Sequence, residues 1–359
     1  MNMKWFPKRI RTLTLVLLAT LLLPIFIRSS YILHLAILLG VWIICTDSLN
    51  LVTGFAGQLA LGHAAFITIG AYTGGLLMIH LGLPFWVALV VSGVVAFGSG
   101  LILGLMALRL RGDYLGMVTL GFGEIIRIFA INWVWLTRGQ SGLPGIPRPS
   151  IFGYRFTGEL PYYFLIVVFI VIIHIAIERL LMSRFGRACM AVRDDEVAAK
   201  AMGVQSYTYK VTAFCIACGM AGLVGAFYAS WITLFSPTSF TLNDSLMMSV
   251  MQTLGGIGSL YGSIPGAAII GGLPEALRTF TTGARIASLR FSLMGLLLIV
   301  LMIVRPQGLF GMSITRGYLS LQPIRRLFVR STGGEEKLSD KITFNCAVSD
   351  QVLTEVVDD

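Results

Sequence analysis

Two sets of residues in this sequence of 359 residues could do chemistry: one polar run, and a few ionisable groups set in apolar surroundings. The run reads Gly186-Arg-Ala-Cys-Met-Ala-Val-Arg193-Asp194-Asp195-Glu196-Val-Ala198-Ala199-Lys-Ala-Met-Gly203. Acids placed ahead of the helix-favouring Glu-Val-Ala-Ala-Lys-Ala-Met, with Gly203 behind it, predict a short capped helix. A solvated loop helix is the plain reading. The sharper one is a helix that docks in another protein's cleft, because a short rigid helix transmits motion into the segments on either side. Divalent-metal binding by Asp194, Asp195 and Glu196 would need a second acidic cluster facing the first, and the sequence offers none.

The isolated charges come in pairs. Glu124 and Arg127 stand at i,i+3 within an apolar segment, as do Glu275 and Arg278, so each acid meets its base on one helix face. Charges at membrane depth cost a few kcal/mol each and are functional candidates by default; the plain alternative is a pair satisfied inside the bundle or at its interfacial end. Asp47, with Asn50 one turn on, is expected to cap or anchor the inner end of its span. His63 is open to a pore-lining role or to a helix-packing hydrogen bond, the commoner of the two. Cys215-Ile-Ala-Cys218 has redox or metal spacing, but no nearby His or acid completes a site, so both are expected to pack between helices. The chain holds no Gly-Lys pair for a Walker A loop, no Gly-x-Ser-x-Gly and no His-Glu-x-x-His. No catalytic residue, metal site or cofactor of its own is expected.

The elements that must carry these residues are apolar. Hydrophobic residues make up 56% of the chain and charged ones 12%, about half the charge of a soluble domain, which excludes an ordinary cytoplasmic enzyme and a disordered chain. Residues 1–330 hold 25 Lys and Arg against 10 Asp and Glu, a net +15; residues 331–359 hold 2 against 7, a net −5. The predicted fold is an all-α integral membrane protein of about ten transmembrane helices, each near 20 residues, some broken or re-entrant. The first span is an uncleaved apolar run, Leu13 to Ile27; the rest are expected at 31–50, 52–81, 85–108, 113–136, 161–182, 211–235, 245–260, 263–280 and 289–304. Arg109, Arg111, the 183–210 loop and the arginines after 304 fall on one side in this register, which places both termini in the cytoplasm. The Gly/Pro-rich 137–160 segment is expected to form an ordered external cap. Residues 1–312 are read as the membrane domain and 313–359 as a cytoplasmic tail, without fixed structure after 331.

Two Gly-rich stretches stand out, 54–75 and 255–274. Each has Gly-x-x-Gly-polar-Leu followed shortly by Ala-Ala, and glycine at membrane depth marks close helix approach or a broken helix lining a cavity. Gly57, Gln58, Gly62, His63, Gly255, Gly256 and Gly258 are therefore candidates for a translocation path.

Glu196-x-Ala198-Ala199-x-x-x-Gly203 resembles the coupling loop of bacterial ABC importer permeases, without the Ile-x-Leu-Pro end of that pattern. More specifically, Gly57-Gln-Leu-Ala-Leu-Gly-His-Ala-Ala-Phe66, Arg109-Leu-Arg-Gly-Asp-Tyr114 with Thr119-Leu-Gly-Phe-Gly-Glu-Ile-Ile-Arg127, Gly186 to Gly203, Gly255-Gly-Ile-Gly-Ser-Leu-Tyr-Gly262 and Arg305-Pro-Gln-Gly-Leu-Phe-Gly311 are similar to the branched-chain amino acid permease family, in its LivM-type branch. The resemblance runs over residues 30–312 and leaves out the acidic tail. It implies a permease subunit of a high-affinity importer in the bacterial inner membrane, paired with a homologous second permease, two cytoplasmic ATPases that bind ATP and Mg, and a periplasmic binding protein. Gly186, Arg193, Asp194, Asp195, Glu196, Ala198, Ala199 and Gly203 would form the ATPase-coupling loop, with the four charged residues as docking contacts. The competing expectation is a stand-alone ion-coupled carrier of small amphipathic solutes using Glu124 or Asp47.

Overall fold

The computed structural model describes residues 30–107, 113–151, 154–156, 158–280 and the positions 295, 299, 308 and 309; the side chains of 113, 151, 154, 155 and 273–280 are outside it. The expected spans at 13–27 and 289–304, and the tail, lie outside the described residues. The described part is built from helices: α1 (Ser30–Asn50), α2 (His63–His80), α3 (Phe85–Ala107), α4 (Asp113–Asn132), α5 (Glu159–Met182), α6 (Arg184–Asp194), α7 (Glu196–Ala201), α8 (Ser206–Ile232), α9 (Leu242–Gly255) and α10 (Ser263–Phe280). Among the described residues, five helical stretches are long and apolar enough to cross a bilayer: Ser30–Phe55, Phe85–Ala107, Tyr114–Asn132, Glu159–Met182 and Ser206–Ile232.

α8 lies at the centre, packed along α2 and α3, with 78% of its apolar window buried; α4 is the outermost, with 22%. Small residues make the centre tight. A side chain on Gly70 would overlap the Gly222 backbone, and one on Gly225 would overlap the Ile67 carbonyl, so α2 and α8 touch backbone to backbone. Cys218 packs into the space left by Gly100 on α3, and Cys215 and Cys218 are both buried and unbonded, as their apolar setting suggests.

The expected single span 52–81 is corrected. α1 widens into a π-helical turn over Leu51–Phe55, the chain runs irregularly from 56 to 62, and α2 starts only at His63. Gly57 takes φ +67°, a left-handed conformation that ends a helix at no steric cost to glycine. The expected span 245–260 is likewise interrupted: α9 stops at Gly255, Gly258 takes φ +78°, and α10 begins at Ser263. Both Gly-rich stretches therefore have the same local build, a left-handed glycine and a short irregular link before a new helix. In the described part of 137–160, strand β1 (Leu143–Pro144) pairs antiparallel with β4 (Leu234–Phe235) at the end of α8, and β2 (Ser150–Ile151) pairs with β3 (Tyr154–Arg155).

Candidate functional site

The polar loop folds as two short helices at a right position to touch the broken ones. Ser183 caps α6 by accepting the Gly186 N–H at 3.4 Å, and a side chain on Gly186 would overlap the Leu181 backbone, so the turn out of α5 demands glycine there. Gly186, Cys189 and Val192 recur at helical spacing and bury one face of α6, where Cys189 meets Ala56 and Ala213. Burial pushes the Cys189 thiol up to about 11. Asp195 breaks α6 from α7 and caps the latter, its Oδ1 accepting the N–H groups of Val197 at 2.8 Å and Ala198 at 3.0 Å. The Glu196 carboxylate is held between Lys200 (2.8 Å) and Lys210 of α8 (2.7 Å), and hydrogen bonds from these two lysines bring its pKa down to about 2. Gly203, at φ +83°, ends the segment. Ala199 faces inward; Asp194 and Ala198 are exposed, and so are Val197 and Met202, at 74% and 85%.

Arg193 points the other way, into the fold. A Cβ built on Gly57 would stand 3.0 Å from Arg193 Cγ, and one built on Gly258 would stand 2.6 Å from an Arg193 guanidinium nitrogen. One side chain thus lies across both left-handed glycines. Gly54 also abuts Gly258, whose N–H a Cβ at Gly54 would approach to 2.7 Å. Asn50 sews the two breaks together: its Nδ2 donates to the Ser259 carbonyl (2.9 Å), and its Oδ1 accepts from the Gly258 N–H (3.0 Å) and from Gln252 Nε2 (3.2 Å). Gln252 Oε1 accepts from Thr53 Oγ1 at 2.6 Å. Gly256 meets Gly308, and the Leu309 N–H donates to the Leu254 carbonyl at 2.9 Å, so the Gly308-Leu309 pair closes the same junction.

A second polar region is a narrow open cleft between α2, α4 and the start of α9. Glu124 and Arg127 line it, joined by Arg127 Nε to both carboxylate oxygens at 3.0 Å and by a further bond from Nη2. Gly62 lines the cleft too; a side chain there would overlap the Thr119 carbonyl of α4. At the far wall Thr241 and Asp244 form a capping box for α9, and Ser245 accepts the Ala64 N–H at 2.9 Å.

The geometry has counterparts among known proteins. Residues 31–304 match the family model described as branched-chain amino acid transport system / permease component. The chain belongs to that family. It is 36% identical, over 334 residues, to the high-affinity branched-chain amino acid transport system permease protein LivM of Escherichia coli (strain K12), covering 86% of this chain and 77% of that protein. The probable LivM of Methanocaldococcus jannaschii is 24% identical, covering 75% of this chain and 90% of its own. The permease protein LivH of Escherichia coli (strain K12) is 25% identical, covering 73% and 88%. No solved structure matches. The chain is thus a multi-pass membrane permease component and not an enzyme.

Within this permease, Arg193, Gly57, Gly255, Gly256 and Gly258 come together at the junction, while Gly62, Glu124 and Arg127 meet in the cleft. Gln58 is buried, and neither amide atom finds a partner among the described residues. His63 is buried inside the bundle, its Nε2 2.7 Å from Ser48 Oγ. The side chains of Glu275 and Arg278 lie outside the described residues. Asp47 corrects an expectation. It does not cap a helix end, because beyond Asn50 the helix continues as the π turn Leu51–Phe55; it is 1% exposed and stands 3.4 Å from His174 Nδ1 of α5. Sequence reasoning missed this pair, and missed Asn50, Gln252 and Lys210 as bonding partners. The usable signal for the first was that Asp47 and His174 are each isolated polar residues in apolar runs, and such residues pair with one another.

Proposed function

We propose that this permease is the membrane subunit of an ABC importer for branched-chain or other hydrophobic amino acids. Substrate arrives from a periplasmic binding protein, a homologous second permease completes the path, and two cytoplasmic ATPases, carrying ATP and Mg, drive it from the inner-membrane face. About ten spans with both termini inside suit the alternation of charge along the sequence. The observation that carries the proposal is Arg193. A loop of the kind that docks on an ATPase reaches with one side chain onto the glycines at which two helices break. Closure of the ATPase pair would push α6 and α7, and Arg193 would pass that displacement to the links 56–62 and 256–262, rocking α2 and α10 to open one side of the path and shut the other.

In this scheme the face offered to the ATPase is Val197, Ala198 and Met202 with Asp194 beside them, since Asp195 and Glu196 already bond within the chain. Apolar anchors with a charged rim are the usual make-up of an interface. The second reading, an ion-coupled carrier, draws support from the buried Asp47–His174 pair. One reconstitution separates them. Vesicles holding the chain with its cognate permease, ATPases and binding protein should accumulate leucine only with ATP; uptake by the chain alone, driven by a proton gradient, would establish the carrier instead.

A further inference from the structure

From the outer face of α4 we infer where two permeases meet: the row Met117, Gly121, Glu124 and Ile128, with Arg127 beside it, is the surface on which the second, homologous permease seats inside the bilayer. The inference rests on the importer reading above and adds to it the place of that contact.

The span Tyr114–Asn132 is the least covered of the five apolar stretches, 22% buried against 39% or more for the others. It packs chiefly on α2 and leaves Met117, Gly121 and Ile128 exposed. Helical spacing puts these three and Glu124 in one row along α4. Glu124 and Arg127 lie close to Gly123, the midpoint of the span, within about 6 Å of it along the axis. That is well inside a hydrocarbon layer about 15 Å deep on either side. Even so, 39% of the Glu124 side chain and 30% of the Arg127 side chain are exposed. Charges at such depth turn to protein or to water and not to lipid, and bonding to each other does not cover the exposed parts. Other spans show what a lipid-facing surface looks like in this chain. Every exposed residue of α3 is apolar, Val90, Val94 and Ile102 among them, and Val168 and Ile172 make the same kind of surface on α5.

What covers the row must itself lie in the membrane, which excludes ATPases and a binding protein. It is a homologous permease and not another copy, because the chain is similar to two distinct permease proteins of one Escherichia coli transport system, LivM at 36% and LivH at 25% identity. Homologous subunits that close around a two-fold axis present the same patch to each other, so the partner's counterpart of α4 lies against this one. Gly121 suits that contact. A side chain built there meets nothing within 4 Å in this chain, which leaves room for a partner helix to come close. Behind the row, a Cβ on Gly116 would stand 3.0 Å from Leu59, and one on Gly62 would overlap the Thr119 carbonyl, so the 56–62 link touches the inner side of α4. A push on that link from Arg193 thereby reaches the contact between the permeases.

The test uses the complete transporter in vesicles, with the photo-crosslinker p-benzoylphenylalanine placed at Met117 or Ile128 on α4, or at Val94 on α3 as the lipid-facing control. On illumination both α4 positions should join this chain to the second permease, identified by mass spectrometry, and Val94 should not. Independently, Gly121→Trp adds bulk where this chain has open space. The chain itself should then reach the membrane at its usual level, while the second permease that copurifies with it falls about tenfold or more. Crosslinks from Ile128 to lipid alone, or to another copy of this chain, would overturn the inference, and so would full recovery of the second permease with Gly121→Trp. Leucine uptake with ATP by the unaltered transporter would still stand in each of those cases. Failure of the unaltered transporter to take up leucine would overturn the importer reading and the inference with it.

Discussion

Gly258 and Glu196 show how single residues set this structure. Gly258 combines φ +78° with an Arg193 nitrogen where a Cβ would go, so alanine there is strained by its backbone and by its neighbour. Gly121, on α4, has nothing within 4 Å. Gly258→Ala should therefore cost about 1–3 kcal/mol in thermal unfolding of the purified permease, and Gly121→Ala close to nothing. Glu196 has its pKa lowered from 4.5 to about 2, so its bonds to Lys200 and Lys210 contribute fully above pH 4.5 and are lost as pH falls towards 2. With Lys200 half exposed and a quarter of the Glu196 side chain open to screening, the contribution is about 1 kcal/mol or less. Amide protection factors over residues 196–202, relative to the intrinsic rates at each pH, should fall on acidification through that window, and Glu196→Gln should show the lowered protection already at pH 7. The cap itself was legible in the sequence, because Asp195 and Gly203 act locally. Lys210 as a partner of Glu196 was not, since it comes from a different helix. Asn50 looked like a helix end and instead bonds three groups some 200 positions away.

Among the elements, α8 carries the greatest packing constraint. Its Gly222 and Gly225 let α2 approach to backbone contact, and side-chain atoms cannot be added there without moving a helix. Gly225→Val should abolish accumulation of folded protein in the membrane, at more than about 3 kcal/mol, whereas Gly98→Ala on α3, facing open space, should accumulate normally. Quantifying monodisperse protein after detergent extraction distinguishes the two. The helices were largely readable from apolar length, but the breaks were misplaced. A hydropathy pattern continues smoothly through 52–62, and only the positive φ of Gly57 and the π turn before it show that the helix stops. The likeness between the two Gly-rich stretches was visible as a motif; that they face each other across Asn50 depends on tertiary packing.

For the whole molecule, the family match over residues 31–304 leaves the acidic tail outside the shared permease, so the transport reading stands on the membrane part. That part joins its two polar regions by a short path. Arg193 rests on Gly57 at one end of the 56–62 link, and Gly62 at the other end lines the cleft with Glu124 and Arg127. A displacement of the loop can therefore reach the cleft through one stretch of irregular backbone. The direct check is to replace Arg193 by alanine and measure ATP hydrolysis and leucine uptake in the same vesicles holding the complete transporter. The coupling role predicts that hydrolysis persists while leucine taken up per ATP falls about tenfold or more, a loss equal to one charged contact. Uptake per ATP equal to that of the unaltered transporter would contradict it.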